Sequence, residues 1–159
     1  MTDEENRFSP ETRALMGVFA LYWKMDAVID QTLLTPQMGR LEGRVLLQLD
    51  QPRRMGALAQ LLLTGPPSVT AAADRLQNMG LVRRAPDPDD RRALLLQLTE
   101  QGWEMRRQLE AGASALFRQV SGLSEGEIKQ FAALSMKIHD TITGTGEILK
   151  DPSQTGDKE

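Results

Sequence analysis

A helical spacing of apolar residues ends at Gly80, and the chain then changes period. Leu81 to Ala85 and Ala93 to Leu98 are short apolar runs on either side of Pro86-Asp87-Pro88-Asp89-Asp90-Arg91-Arg92. Two prolines and a cluster of charges suit a turn, so the flanking runs read as two strands of a hairpin with a charged tip. Leu94, Leu96 and Leu98 alternate with Ala93, Leu95 and Gln97, which puts one face against a core and turns the other to solvent, Leu95 being the imperfect member.

The segments before the hairpin define what it accompanies. Met55 to Leu63 is predicted as a short helix, Thr64-Gly65-Pro66-Pro67 as a turn, and Ser68 to Met79 as a helix closed by Gly80, which makes a helix-turn-helix. Along the second of these helices Val69, Ala72, Ala73, Leu76 and Met79 share a face, leaving Ser68, Thr70, Ala71, Asp74, Arg75 and Asn78 outward. Small side chains at the start of such a helix let its backbone approach base edges in a major groove.

Longer helices are expected on both sides. Ser9-Pro10-Glu11 is a start signal for a first helix: a hydroxyl cap, a proline in the first turn and a carboxylate against the positive end of the dipole. Its residues Leu15, Val18, Phe19, Tyr22, Met25 and Ile29 recur three and four apart and form an apolar stripe. Thr35-Pro36 repeats the start signal for a second helix burying Met38, Leu41, Val45 and Leu49, and Pro52 stops the chain after it. Thr99 caps a long helix carrying Trp103, Leu109, Ala113, Leu116, Phe117 and Val120. Ser124 and Glu127 form a capping box for a last helix, with Ile128, Phe131, Ser135, Ile138 and Ile142 on one face.

At 159 residues the chain has the length of one domain. No apolar run approaches the roughly 20 residues of a membrane span, and the acidic start MTDEENRF carries no secretory signature, so a soluble, cytoplasmic protein is expected. The complete lack of cysteine removes disulfides, thiolate catalysis and Cys-based zinc sites. With His139 as the single histidine, His-pair metal motifs are excluded too, and it reads as a helix-surface or packing residue. Common nucleotide-binding and hydrolase motifs are missing, so no enzyme activity and no cofactor are expected. The net charge of −3 does not by itself favour nucleic acid. Its distribution does more: Arg53 to Thr99 holds seven arginines against four aspartates, and every cation between Met25 and Ile128 is arginine, the side chain whose planar fork pairs with phosphate.

The order of these elements, with Asp90-Arg91-Arg92 followed by Leu98-Thr99 and Gly102, resembles the MarR family of transcription regulators. The run DRLQNMGLVRRAPDPDDRRALLLQLTEQG, Asp74 to Gly102, is similar to that family's recognition-helix end, first wing strand, DxR tip and LTxxG helix entry. The resemblance extends from about Leu33 to about Leu109 and more weakly to both ends. It implies a mainly α fold with a small β-hairpin wing, a winged helix-turn-helix flanked by dimerisation helices. On that plan residues 1–34 form an N-terminal arm and dimerisation helix, 35–99 the DNA-binding region, 100–144 further dimerisation helices and 145–159 a mobile tail, all in one structural domain.

Carried over residue by residue, the resemblance implies that Ser68, Thr70, Ala71 and Arg75 face the major groove and that Asp90, Arg91 and Arg92 form the wing tip, Asp90 orienting Arg92 beside a minor groove. The chain departs from the family's usual pattern at Ala71, at Pro66-Pro67 and at Gly56, where a polar cap is common. The implied function is a repressor that binds a pseudo-palindromic DNA duplex as a homodimer, without a membrane partner, and is released by a small aromatic or phenolic effector. Tyr22, Trp23, Met38, Arg44 and Trp103 are the candidates for the effector pocket. Two rivals stand beside it: a dimeric protein-interaction module that has lost specific DNA binding, and an enzyme binding metal through Asp87, Asp89 and Asp90.

Overall fold

The computed structural model describes residues 7–32 and 38–144, so the expected start of the second helix at Thr35-Pro36 and the expected tail from 145 lie outside the described residues. Among the described residues six helices and three strands follow one another: α1 (Pro10–Thr32), α2 (Arg40–Gln48), β1 (Arg53–Arg54), α3 (Met55–Leu61), α4 (Pro66–Asn78), β2 (Val82–Pro86), β3 (Leu94–Leu98), α5 (Glu100–Ser121) and α6 (Glu125–Gly144). The described residues group into two compact units, the first ending at Gly122 and the second beginning at Leu123. No helix among the described residues is long and apolar enough to cross a membrane.

Local chemistry places the helix ends. The Ser9 hydroxyl accepts the Thr12 N–H at 3.3 Å, as an N-cap should. Thr99 does more: its Oγ1 accepts the Gly102 N–H at 3.0 Å and donates to the Gly80 carbonyl at 2.7 Å, while its own N–H reaches the Leu81 carbonyl at 3.0 Å. One residue therefore starts α5 and ties it to the chain leaving α4. Gly102 permits this approach, because a β-carbon there would lie 1.9 Å from the Leu81 carbonyl oxygen. At the far end of α4, Gly80 adopts φ +73° and Leu81 N–H bonds back to the Leu76 carbonyl at 3.0 Å, the Schellman closure that a glycine makes cheap.

α2 starts after Gly39 rather than at Thr35-Pro36, so Met38 precedes the helix although it is buried as expected with Val45 and Leu49. α3 is two residues shorter than expected. Leu62 and Leu63 form its closing turn, in which Thr64 N–H bonds to the Ala59 carbonyl at 3.0 Å and Leu63 takes φ +51°. α4 is longer than expected at its start: Pro66 and Pro67 belong to the helix, after the Gly65 cap. Prolines fit there because the first amide groups of a helix have no intrahelical acceptor.

The hairpin is joined by a strand that the sequence reading did not anticipate. β1 pairs antiparallel with β3, and β3 with β2, giving the order β1-β3-β2. Leu96 and Leu98 turn inward and are buried. Leu94 is 51% exposed, because it pairs with Pro86 at the tip end of the hairpin, and so departs from the expected inward alternation. Leu46, Leu58, Leu76 and Leu96 are each fully buried, so α2, α3, α4 and the sheet share one core. Burying such a side chain stabilises by about 1.5–3 kcal/mol. α1 and α2 both pack on α5.

In the second unit α6 begins with the expected box: Ser124 N–H donates to a Glu127 carboxylate oxygen at 2.8 Å, and Glu127 N–H to Ser124 Oγ at 3.4 Å. The Ser124 hydroxyl and N–H together hold the Glu127 carboxyl below its ordinary pKa.

Candidate functional site

The outer face of α4 presents Ser68, Thr70, Ala71, Asp74, Arg75 and Asn78, all exposed, while Val69, Ala72, Ala73 and Leu76 are buried beneath them. The Thr70 hydroxyl donates to the Pro66 carbonyl one turn back at 3.1 Å, which leaves its oxygen free to accept. The two charged residues of this face are held from within the protein. Asp74 accepts from Arg84 of β2 at 2.6 Å, and the same guanidinium donates to Gln77 at 2.8 Å. Arg75 donates through Nε and Nη2 to Oε1 of Glu42 on α2, whose carboxylate is buried.

The wing tip is organised around Asp87, also buried. Its Oδ1 accepts the Asp89 N–H at 2.9 Å and its Oδ2 accepts from Arg54 Nε at 2.6 Å, with the backbone closed by Asp87 N–H to Ala93 O at 3.0 Å. The Asp89 amide first, then the Arg54 guanidinium, holds the Asp87 carboxyl below its ordinary pKa. The expectation that Asp90 orients the Arg92 guanidinium is corrected. Asp90 Oδ1 accepts the Arg92 backbone N–H at 3.1 Å and Oδ2 faces Arg54 Nη1 at 3.8 Å, so it shapes the turn and not the arginine side chain. A short side chain two residues back closes on the nearest amide, an Asx turn, before it can reach a long guanidinium. Arg91 and Arg92 are exposed, and neither forms an ion pair among the described residues.

Arg54, which pairs with Asp87 and Asp90 at the wing tip, is the residue of this arrangement that sequence reasoning missed. Only the Arg53-Arg54 pair between Pro52 and α3 hinted at it, and its partner lies 33 residues on. Asp87 and Asp90 turn toward this arginine, and no group of acidic or histidine side chains suited to a metal occurs among the described residues.

Within the first unit, α1, α2 and α5 enclose a cleft of about 490 Å³. Of the five residues expected in an effector pocket, Tyr22 and Arg44 line it, joined by Met25, Asp26, Arg40 and Leu109 among others. Arg40 pairs with the Asp26 carboxylate and carbonyl, and Arg44 Nη2 donates to the Leu62 carbonyl at 2.6 Å. Trp23, Met38 and Trp103 lie elsewhere. Met38 is part of the core, Trp23 stacks on Phe19 with centroids 5.9 Å apart, and Trp103 sits under the Arg106 guanidinium at 5.7 Å.

Comparison with known proteins is consistent with this geometry. Residues 37–93 match the family model described as MarR family. The HTH-type transcriptional repressor MdtR of Bacillus subtilis is 33% identical over 86 residues, 54% of this chain and 56% of that protein. The chain thus spans little more than half the length of the curated relatives it matches. The crystal structure of the YusO protein from Bacillus subtilis superposes with a TM-score of 0.56 at 26% identity, covering 82% of this chain and 97% of that one. Sco3205 from Streptomyces coelicolor, a MarR family transcriptional regulator solved in complex with DNA, shares the fold at TM-score 0.63 and 21% identity, over 93% of this chain and 98% of its own. The segment match, the curated relatives and the winged helix-turn-helix agree in what they resemble: residues 37–93 are similar to the MarR family, and the fold is shared with solved transcriptional regulators.

Proposed function

We propose that this chain is a DNA-binding transcriptional repressor that acts as a homodimer on a pseudo-palindromic operator. The observation that carries the proposal is the pairing, in one unit, of an exposed small and polar α4 face with a wing tip whose Arg91 and Arg92 are exposed and form no ion pair among the described residues. Ser68, Thr70 and Ala71 supply the close approach to a major groove, Ala71 offering a methyl to thymine. Arg91 and Arg92 supply the cations for phosphate or a narrow minor groove, on a turn that Asp87, Asp90 and Arg54 hold in shape. The repressor MdtR and the DNA complex of Sco3205 support the same reading.

Dimerisation is supported by the outer face of α1, where Leu15, Phe19, Tyr22 and Trp23 remain at least half exposed, and by α6, which buries no residue. A twofold axis would present two α4 helices to half-sites about one helical turn apart. The α1–α2–α5 cleft has the size of a small-molecule site, and Tyr22 with Arg44 would suit an aromatic or phenolic effector whose binding releases the DNA.

A gel-shift series with the chain's own upstream DNA, run at several salt concentrations, tests the proposal. Binding should weaken steeply with salt, and Arg92→Ala should cost about 1–3 kcal/mol, with a shallower salt dependence if phosphate is the contact. Absent or salt-insensitive binding by the wild type would overturn the reading in favour of an interaction module. An α1 face that forms no dimer in sedimentation analysis would remove the twofold operator.

A further inference from the structure

We propose that Glu42 is a specificity-determining positioning residue: through Arg75 it fixes how α4 is presented to DNA, and Arg75 acts as a clamp on the helix instead of a contact to phosphate or base. The proposal rests on the DNA-binding reading above. Glu42 is 2% exposed, and its Oε1 receives two donors from Arg75. An arginine that left this carboxylate for a phosphate would strand a buried charge, which costs far more than a single solvent-facing phosphate contact returns.

Two neighbouring features show that the pair is built into the fold. Gly39 stands beside the carboxylate, where a β-carbon would come within 2.6 Å of Glu42 Oε2, so the residue before α2 leaves room for the acid to turn toward α4. On the other charged residue of the face, Arg84 grips Asp74 and Gln77 from β2. α4 is thus held by ion pairs from α2 and from the wing. Its two charges are satisfied internally, and the residues left to meet base edges are the small ones near its start. Small side chains discriminate only at close range, so a change in helix tilt costs base discrimination before it costs general affinity for the backbone.

The test compares full-length wild type with Glu42→Gln, Arg75→Gln, the double variant and Gly39→Ala, each on the chain's own upstream duplex and on a scrambled duplex of equal length. Glu42→Gln, which removes a charge remote from DNA, should reduce the ratio of specific to non-specific affinity about tenfold. Arg75→Gln should do the same without altering the salt dependence, and the double variant should be no worse than either alone. Gly39→Ala displaces the carboxylate without removing it and should give a smaller loss of the same ratio, which covers the case in which Glu42→Gln folds poorly. The proposal is overturned if Arg75→Gln lowers the salt slope by about one phosphate, or if Glu42→Gln tightens binding by releasing Arg75. If the wild type binds no DNA, the functional reading fails. The clamp is then judged by urea unfolding without DNA, where additive effects of the two single variants would sink it and strong coupling would uphold it.

Discussion

Replacing Gly102 with alanine strikes the joint between α5 and the wing. A β-carbon at this position would lie 1.9 Å from the Leu81 carbonyl oxygen, 3.0 Å from its carbon and 3.2 Å from Leu98 Cδ2. The nearest of these is backbone, in a segment pinned by Gly80 and by the buried side chains of Leu81 and Val82, so no rotamer change relieves the clash. Ordinary contact begins at 3.4 Å, and α5 and the start of β2 must separate by well over 1 Å. Such a shift breaks the Thr99 N–H to Leu81 bond at 3.0 Å and the Thr99 hydroxyl bond to Gly80 at 2.7 Å. Overpacking costs about 1–3 kcal/mol and each of the two lost hydrogen bonds about 1. Against these stands the helix preference of alanine over glycine, about 1 kcal/mol. The net expectation is a loss of about 2–4 kcal/mol, read as a lowered urea midpoint at unchanged slope. Gly56→Ala is the control, since nothing lies within 4 Å of its added methyl and it sits early in α3; it should be neutral or slightly stabilising. A Gly102→Ala protein within about 0.5 kcal/mol of wild type would refute the close-approach account.

Leu63 holds φ +51° in the turn between α3 and α4 and is half exposed. Leu63→Gly should therefore raise stability by about 0.5–1 kcal/mol, and a lowered urea midpoint would mean that its side-chain packing outweighs the strain. The Asp87 carboxyl titrates below its unfolded value because the Asp89 amide and Arg54 favour its charged form. Its contribution is thus complete above the unfolded pKa of about 3.9 and is lost as pH falls through the lower folded value. Proteolysis at the wing should stay constant from pH 8 to 5 and increase only in stronger acid. In Asp87→Asn that acid-dependent component should disappear, and an unchanged acid profile would assign it to another group.

Much of the architecture was legible because it is written in neighbouring residues. Ser9, Thr99 and the Ser124–Glu127 box cap helices through bonds spanning three positions. The buried face of α4 follows from the spacing of Val69, Ala72, Ala73 and Leu76. Chain separation hid the rest. The two-residue β1 has no period to detect, and it exists because β3 offers it an edge. Arg54 meets Asp87, and Arg75 meets Glu42, across 33 residues each, so composition could count these charges without saying which were already paired. Short-range sterics and capping thus determined the helix-turn-helix and its wing from the sequence alone. Only the tertiary structure decided which arginines are committed, because a guanidinium is engaged or not according to what packing brings within 3 Å of it: Arg54 and Arg75 are engaged, whereas Arg91 and Arg92 meet no acidic partner among the described residues.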